Sequence, residues 1–181
     1  MTVFANIKIG TRILAILVLF ACGLVGVTLI GLNALRTYDS ASDHMQNEAT
    51  RGMLALKASG IMAEMVAETR GIYSAATPEE TRQMAGRLNR AVDRFEALIP
   101  VYEAAQPPER RQMFAERKRR MLDFAQYRRE VARLSITEGI EKAREFGRQP
   151  KYTDLRDALE KEFIEATERN DAEIKVIAAN R

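Results

Sequence analysis

The chain has 181 residues with 28 basic and 25 acidic side chains, and it contains one histidine, one cysteine and no tryptophan. Residues 37–181 hold equal numbers of acidic and basic side chains, so Lys8, Arg12 and Arg36 supply the whole net charge of +3, which argues against a nucleic-acid-binding protein. The single cysteine, Cys22, excludes an intramolecular disulfide framework and a multi-cysteine metal site.

The first predicted element is a membrane-spanning helix. Residues 13–35 carry no charged side chain, and at helical rise they would reach roughly 34 Å, slightly more than the hydrocarbon thickness of a bilayer. Lys8 and Arg12 precede this run, whereas acidic side chains follow it, so positive charge holds the amino terminus in the cytoplasm. We therefore predict a cytoplasmic segment at residues 1–12, a transmembrane helix at 13–35 and a domain outside the membrane at 36–181.

A cleaved lipoprotein signal peptide is the alternative reading of the same run, since residues 19–22 loosely resemble a lipoprotein cleavage box. The apolar run continues for 13 residues beyond Cys22, however, and a signal peptide requires no such extension. This length favours the uncleaved helix.

Residues after the span predict four helical segments with short loops between them. Helix one continues to about Tyr73, and the sequence Thr77-Pro78-Glu79-Glu80 is a capping box that starts helix two. Prolines 107 and 108 separate helices two and three, Gly139 weakens the last turns of helix three, and residues 147–150 separate helices three and four. The expected apolar stripes are Leu35, Tyr38, Met45, Gly52, Leu56 and Ala63 in helix one; Met84, Leu88, Ala91, Phe95 and Leu98 in helix two; Phe114, Met121, Phe124, Ala125, Tyr127, Val131 and Ala132 in helix three; and Leu155, Leu159, Glu162, Phe163, Ala166, Ile174 and Ile177 in helix four.

These segments predict an all-α fold in which one transmembrane helix continues into an antiparallel up-down-up-down four-helix bundle, because short loops make sequential helices antiparallel neighbours. The composition favours helices and lacks strand-like alternation. The basic residues 117–120 fit the solvated face of a helix, with a contact to anionic lipid headgroups as the alternative.

Two segments of the chain resemble the methyl-accepting chemotaxis proteins and their periplasmic four-helix-bundle sensor module. Residues 4–14, Phe-Ala-Asn-Ile-Lys-Ile-Gly-Thr-Arg-Ile-Leu, followed by the apolar run and Gly31-Leu32-Asn33, look like the opening and first span of that family. Residues 64–73 resemble its arginine-bearing segment late in helix one. The resemblance implies a periplasmic, dimeric bundle in the bacterial inner membrane that takes up a small molecule or a periplasmic binding protein and shifts helix four relative to helix one.

The same resemblance implies parts that residues 1–181 do not contain, namely a second span, a linker module and a cytoplasmic signalling hairpin. We therefore expect either the sensory portion of a longer protein or a truncated relative.

The candidate ligand site is centred on Arg70, because an organic acid needs a fixed, forked cation and a bundle can direct an arginine inward near its open end. Thr69 and Tyr73 lie in the same segment, and the antiparallel arrangement brings early helix four to the same level. Alternatively, Arg70 pairs with Glu68, Asp154 or Asp157, and Glu64 and Glu68 would permit a cationic ligand. The predicted ligand-binding residues are Thr69, Arg70, Tyr73, Tyr152, Thr153 and Arg156.

No catalytic, cofactor-binding or metal-binding residue is predicted, since the only histidine, His44, has no nucleophile beside it in a recognisable motif. We expect the sensory region of a bacterial chemotaxis transducer, which is not an enzyme and binds a small organic acid or amino acid or a binding protein. The alternatives are the same sensor module of a histidine kinase or diguanylate cyclase, and a single-pass structural or adaptor protein.

Overall fold

The computed structural model describes residues 9–179, and within that range every regular element is a helix. The residues divide after His44 into two compact units, which are treated separately below. The helices are α1 (Ile9–Ser74), α2 (Pro78–Ala104), α3 (Arg111–Thr137), α4 (Ile140–Gly147) and α5 (Pro150–Ala179), with a 3₁₀ turn at Pro108–Arg110.

The first unit contains the early part of α1, and its described apolar side chains are exposed all around the helix, as Leu19, Val27 and Ile30 show. Among the residues that the structure describes, no helix combines the length and the apolar character needed to cross a membrane. The predicted span at 13–35 is therefore not shown by the structure and stays a prediction. The predicted cytoplasmic segment at 1–12 lies largely outside the described residues.

In the second unit, contacts between α1 and α2 show that these two helices are antiparallel. Glu64 pairs with Arg94 at 2.5 Å, and Glu68, one turn later in α1, pairs with Arg87, nearly two turns earlier in α2, at 3.1 Å. The turn between the helices has the predicted capping box: Thr77 Oγ1 accepts a hydrogen bond from the Glu80 backbone N–H at 3.2 Å.

Helices α3 and α5 continue the pattern in which successive long helices run in opposite directions. The rings of Tyr102 and Phe114 lie 4.9 Å apart near the α2–α3 connection, and Phe95 lies 6.2 Å from Phe124 farther along both helices. On the other side of α3, Arg117 pairs with Glu162 of α5. Tyr127, which comes after Arg117 in α3, stacks on Tyr152, which comes before Glu162 in α5, so these two helices are antiparallel. Helices α1, α2, α3 and α5 thus form an up-down-up-down bundle, as predicted. Its buried core includes Ala58, Met65, Ile72, Leu88, Phe95, Met121, Phe124, Val131, Leu159 and Phe163.

Part of the predicted apolar stripe of helix one faces away from the core. Leu56 is 64% exposed and Ala63 is also exposed, whereas Ala58 and Met65 are fully buried. This part of α1 carries two apolar stripes, and the periodicity alone does not indicate which one faces the core. The inward stripe is Ala55, Ala58, Met62, Met65, Thr69 and Ile72, and the outward stripe is Ala49, Met53, Leu56, Gly60, Ala63 and Ala67.

The predicted third helix is two helices. Gly139 adopts a φ of +95°, a conformation that L side chains rarely adopt, and the N–H groups of Glu138 and Gly139 both donate to the carbonyl of Leu134. These bonds end α3 at Thr137, and the chain turns into the separate eight-residue helix α4. The end of the bundle that carries α4 is called the α4 end.

Buried charges join four segments at the opposite end. Glu48, only 1% exposed, accepts hydrogen bonds from Arg51 and has the Arg110 guanidinium at 3.6 Å. Arg51 also donates to the carbonyl of Ala105 at 3.3 Å, and Arg110 pairs with Glu173. This network connects α1 with the end of α2, the 3₁₀ turn and α5.

Candidate functional site: an arginine-lined cavity at the α4 end

A cavity of about 110 Å³ lies between α1, α3 and α5 at the α4 end, and we refer to it as the arginine cavity. All six predicted ligand-binding residues line it, because α1 and α5 run in opposite directions and the end of one meets the beginning of the other. Helix α3 adds two further polar side chains that the sequence reasoning did not select. The lining residues are Val66, Thr69, Arg70, Tyr73, Tyr127, Arg128, Gly147, Tyr152, Thr153 and Arg156.

The most informative side chain in the arginine cavity is Arg128, which is only 4% exposed. Its Nη1 donates to Thr69 Oγ1 at 2.9 Å, and the Thr69 hydroxyl donates onward to the Met65 carbonyl at 2.8 Å. The guanidinium lies over the rings of Phe124 and Tyr127, at 4.7 and 4.8 Å from their centroids. Its Nε is buried and has no hydrogen-bond partner among the described residues.

Positive charge around Arg128 is only partly compensated. Burial lowers the pKa of Arg128 from its ordinary value, and the charges of Arg156 and Arg70 act in the same direction. An arginine nevertheless stays protonated in a protein, so the cavity holds a buried cation. Among residues 9–179, no carboxylate lies within ion-pair distance of Arg128 or Arg70, whereas Arg156 pairs with Asp157 at 2.7 Å. A bound anion would supply the missing negative charge and the missing hydrogen-bond acceptors.

Two tyrosines of the cavity hold α4 in place. The Tyr73 hydroxyl donates to the Ala143 carbonyl at 3.3 Å, and the Tyr127 hydroxyl donates to the Gly147 carbonyl at 3.1 Å. Burial raises the pKa of Tyr73 to about 12 and also raises the pKa of Tyr127, so both hydroxyls are neutral donors near neutral pH. Arg144 adds a bond in the opposite direction, from its Nη2 to the Tyr73 carbonyl at 2.5 Å.

The alternative pairings of Arg70 are not those of the structure. Glu68 binds Arg87 and Glu64 binds Arg94, both on α2, while Asp157 binds its neighbour Arg156. Neither Glu64 nor Glu68 lines the arginine cavity, so it offers no carboxylate to a cationic ligand.

Sequence reasoning missed Arg128 and the site role of Tyr127. A signal for Arg128 was present, because it occupies the apolar stripe of α3 between Met121, Phe124 and Ala125 on one side and Val131 and Ala132 on the other. A charged residue at such a position is either paired or functional. Tyr127 carried no such signal, since a tyrosine in an apolar stripe fits an ordinary core position.

A wider surface depression of about 990 Å³ adjoins the stacked rings of Tyr127 and Tyr152, which line both spaces. Its arginines are compensated within the protein: Arg129 pairs with Asp93 and Glu96, and Arg133 pairs with Glu130. The depression therefore lacks the unpaired buried charge that distinguishes the arginine cavity. The described residues contain no group of three or more His, Cys, Asp or Glu side chains placed to hold a metal ion.

The fold and the cavity define a helical bundle with a small polar pocket near one end. Over residues 6–176 the chain matches the family described as the four helix bundle sensory module for signal transduction. Because this match covers most of the chain, the protein belongs to that family. Comparison with curated proteins gave no match, and comparison with solved structures gave none either.

Proposed function

We propose that this sensory module detects a small organic anion, which it binds in the arginine cavity. The observation that carries the proposal is Arg128, a buried guanidinium whose Nε has no acceptor and whose charge has no carboxylate partner among the described residues. A buried cation left in this state is costly, and an anionic ligand would remove that cost. Arg70 and Arg156 line the same cavity and complete a site that suits a carboxylate.

The proposed mechanism is a population shift rather than catalysis. A ligand that binds one arrangement of α1, α3 and α5 more tightly than another shifts the equilibrium between them by its difference in affinity. The lining of the cavity supports this, because Arg128 comes from α3, Thr69 from α1 and Thr153 from α5.

We assign the module to a bacterial chemotaxis transducer with its bundle in the periplasm. Support comes from the family and from the amino-terminal segment Asn6-Ile7-Lys8-Ile9-Gly10, which looks like the opening of the chemotaxis receptors. The uncharged run at 13–35, preceded by Lys8 and Arg12, is the sequence basis for a single inner-membrane span with the amino terminus in the cytoplasm.

The module is proposed to act as a homodimer through the outward stripe of α1. Its members are spaced alternately four and three residues apart, which is the spacing of a two-helix seam. Met53 and Leu56 are each 64% exposed, and the small residues before and after them in the stripe would allow close approach of a second helix. The stripe consists of Ala49, Met53, Leu56, Gly60, Ala63 and Ala67.

The direct test is isothermal titration of the full 181-residue chain in detergent with a panel of organic acids, in parallel with thermal unfolding. At a ligand concentration of 100 times Kd, binding to the folded state alone raises the free energy of unfolding by about 2.7 kcal/mol. Arg128→Met should abolish both signals. Arg129→Met, which removes the adjacent, partly exposed arginine, is the matched control and should retain them. Equal responses from the wild type and Arg128→Met would show that the anion does not bind in the arginine cavity.

A further inference from the structure

The charge balance of the arginine cavity constrains its ligand beyond the general class of anions. Three guanidinium groups line the cavity, and no acidic side chain does. Asp157 compensates Arg156, which leaves the charges of Arg70 and Arg128 without a partner among the described residues. Two uncompensated positive charges match a ligand that carries two negative charges.

The guanidinium of Arg128 has unused hydrogen-bonding capacity for one carboxylate. Nη1 is already used by Thr69, and neither Nε nor Nη2 has an acceptor among the described residues. These two nitrogens form one side of the guanidinium plane, and this geometry accepts the two oxygens of a carboxylate side by side. The stacking of Arg128 on Phe124 and Tyr127 holds that plane in position.

The size of the cavity places the second negative charge near Arg70. A volume of about 110 Å³ holds roughly three or four water molecules, which corresponds to one carboxylate with one or two adjoining carbons. Any longer part of the ligand extends toward the open side of the cavity. Arg70 lines the same cavity but is exposed, so it is placed to meet a second carboxylate there.

An amino group on the ligand would have no counter-charge among the residues that line the cavity. The acidic residues nearest in sequence to Arg70, Glu64 and Glu68, are already paired with Arg94 and Arg87 and do not line the cavity. An ammonium group among guanidinium groups would be repelled and would lose its hydration without compensation.

Building on the proposed function, we infer that the arginine cavity selects short dicarboxylates that lack an amino group and discriminates against amino acids of the same skeleton. One carboxylate binds the guanidinium of Arg128, and the other binds Arg70.

The sharpest test compares malate with aspartate, because these molecules differ at one position, where a hydroxyl replaces an ammonium group. Each is titrated calorimetrically into the full-length chain, together with succinate, which has neither group. We expect malate and succinate to bind and aspartate to bind about 100-fold more weakly, because placing like charges together at a poorly hydrated site costs several factors of ten in affinity.

Two variants test whether Arg128 and Arg70 make the contacts with the ligand that are assigned to them. Arg128→Lys keeps the charge but loses the forked edge, so it should weaken succinate binding by at least about tenfold. Arg70→Gln should weaken succinate binding while leaving the binding of acetate, which has one carboxylate, unchanged. Circular dichroism of each variant verifies that the bundle is folded.

The outcomes separate this inference from the proposed function. If aspartate binds as tightly as malate and both need Arg128, the selectivity is wrong and the anion-sensing function stands. If succinate, malate, aspartate and acetate all fail to bind the folded wild-type chain, the dicarboxylate selectivity and the proposed anion-sensing function are both wrong. If Arg70→Gln weakens acetate and succinate equally, the assignment of the second carboxylate to Arg70 is wrong.

Discussion

Arg128 and Thr69 are joined by a hydrogen bond of 2.9 Å that connects the middle of α3 to the late part of α1. The two residues are 59 positions apart in the chain, and both are almost completely buried. Thr69 is the one hydrogen-bond partner of this guanidinium within the described structure, so the position of Arg128 depends in part on a hydroxyl in another helix.

Thr69→Val should therefore destabilise the bundle and disorder the site. Valine preserves the shape of threonine but leaves Nη1 of Arg128 buried without an acceptor, which costs about 1–3 kcal/mol. Urea denaturation of the full chain measures this loss. Thr69→Ser retains the hydroxyl and should recover most of the free energy, and equal destabilisation by the two variants would contradict the assigned bond.

Gly147→Ala should loosen α4. A Cβ built at Gly147 would overlap the Tyr73 hydroxyl, so either the helix or the tyrosine must move. Overpacking of this kind costs about 1–3 kcal/mol. Gly86→Ala in α2 is the control, because its Cβ would meet nothing closer than 3.7 Å, and it should stabilise the chain by about 0.5–1 kcal/mol.

A double-variant measurement sharpens the prediction for Gly147. In a Tyr73→Phe background the overlapping oxygen is absent, so Gly147→Ala should cost less there than in the wild type. An identical cost in both backgrounds would show that the Tyr73 hydroxyl is not the obstacle.

Acid should weaken the end of the bundle that contains Glu48. Burial alone would raise the pKa of Glu48, but the hydrogen bonds from Arg51 and the charges of Arg51 and Arg110 outweigh it and hold the pKa below its ordinary value. A lowered folded-state pKa stabilises the protein above the unfolded-state pKa of about 4.3, and this contribution disappears as the pH falls through the lower folded value.

The measurement is the free energy of unfolding between neutral pH and pH values below the folded-state pKa. Glu48→Gln should be less stable than the wild type at neutral pH and should show a shallower loss as the pH falls. Glu79→Gln, which alters an exposed ion pair in the first turn of α2, should follow the wild-type slope. Parallel slopes for Glu48→Gln and the wild type would contradict the prediction.

High pH should destabilise the α4 end of the bundle, because Tyr73 lies there. Its folded-state pKa of about 12 exceeds the unfolded value of about 10, so the unfolded state releases its proton first. The stability contributed by the neutral hydroxyl is complete below pH 10 and is lost as the pH rises toward 12. Phenolate absorbance should show a component that titrates near pH 12, and Tyr73→Phe should remove one tyrosine from it, whereas Tyr127, whose pKa is also raised, should still titrate late. An unchanged component near pH 12 in Tyr73→Phe would assign it to another tyrosine.

The proposed dimer predicts that Leu56→Glu separates the protomers without unfolding them. A glutamate in the middle of the outward stripe of α1 would bury a charge opposite its own copy, which is unfavourable in a two-helix seam. Sedimentation velocity measures the change in mass, and circular dichroism verifies the helix content. Lys57→Glu changes a neighbouring exposed residue outside the stripe and should leave the dimer intact.

Local sequence signals predicted the ends of most helices. The capping box at Thr77, the prolines at 107 and 108 and the proline at 150 act through backbone chemistry within a few residues, so the sequence contains the whole cause. The break at Gly139 was underestimated, because glycine permits a positive φ without requiring it.

The register of α1 and the role of Arg128 depend on partners distant in the chain. Leu56 and Ala58 are both apolar, and only the packing of α1 against other helices decides that Ala58 is buried. The six predicted site residues could be brought together from antiparallel topology alone, since that needs only the order and lengths of the helices. Arg128 interrupts the predicted apolar stripe of α3, but its place in the cavity depends on the packing of α3 against α1.

The attachment of α4 to Tyr73 and Tyr127 has a mechanical consequence for α5. Residues 148 and 149 are all that separate α4 from α5, which then continues for 30 residues, about 45 Å, without glycine and without proline after Pro150. An uninterrupted helix of this length is a stiff rod, so an axial movement of its first turn is conveyed almost unchanged to its last. The hydrogen bonds from the two tyrosine hydroxyls to α4 therefore set the position from which such a movement of α5 would begin.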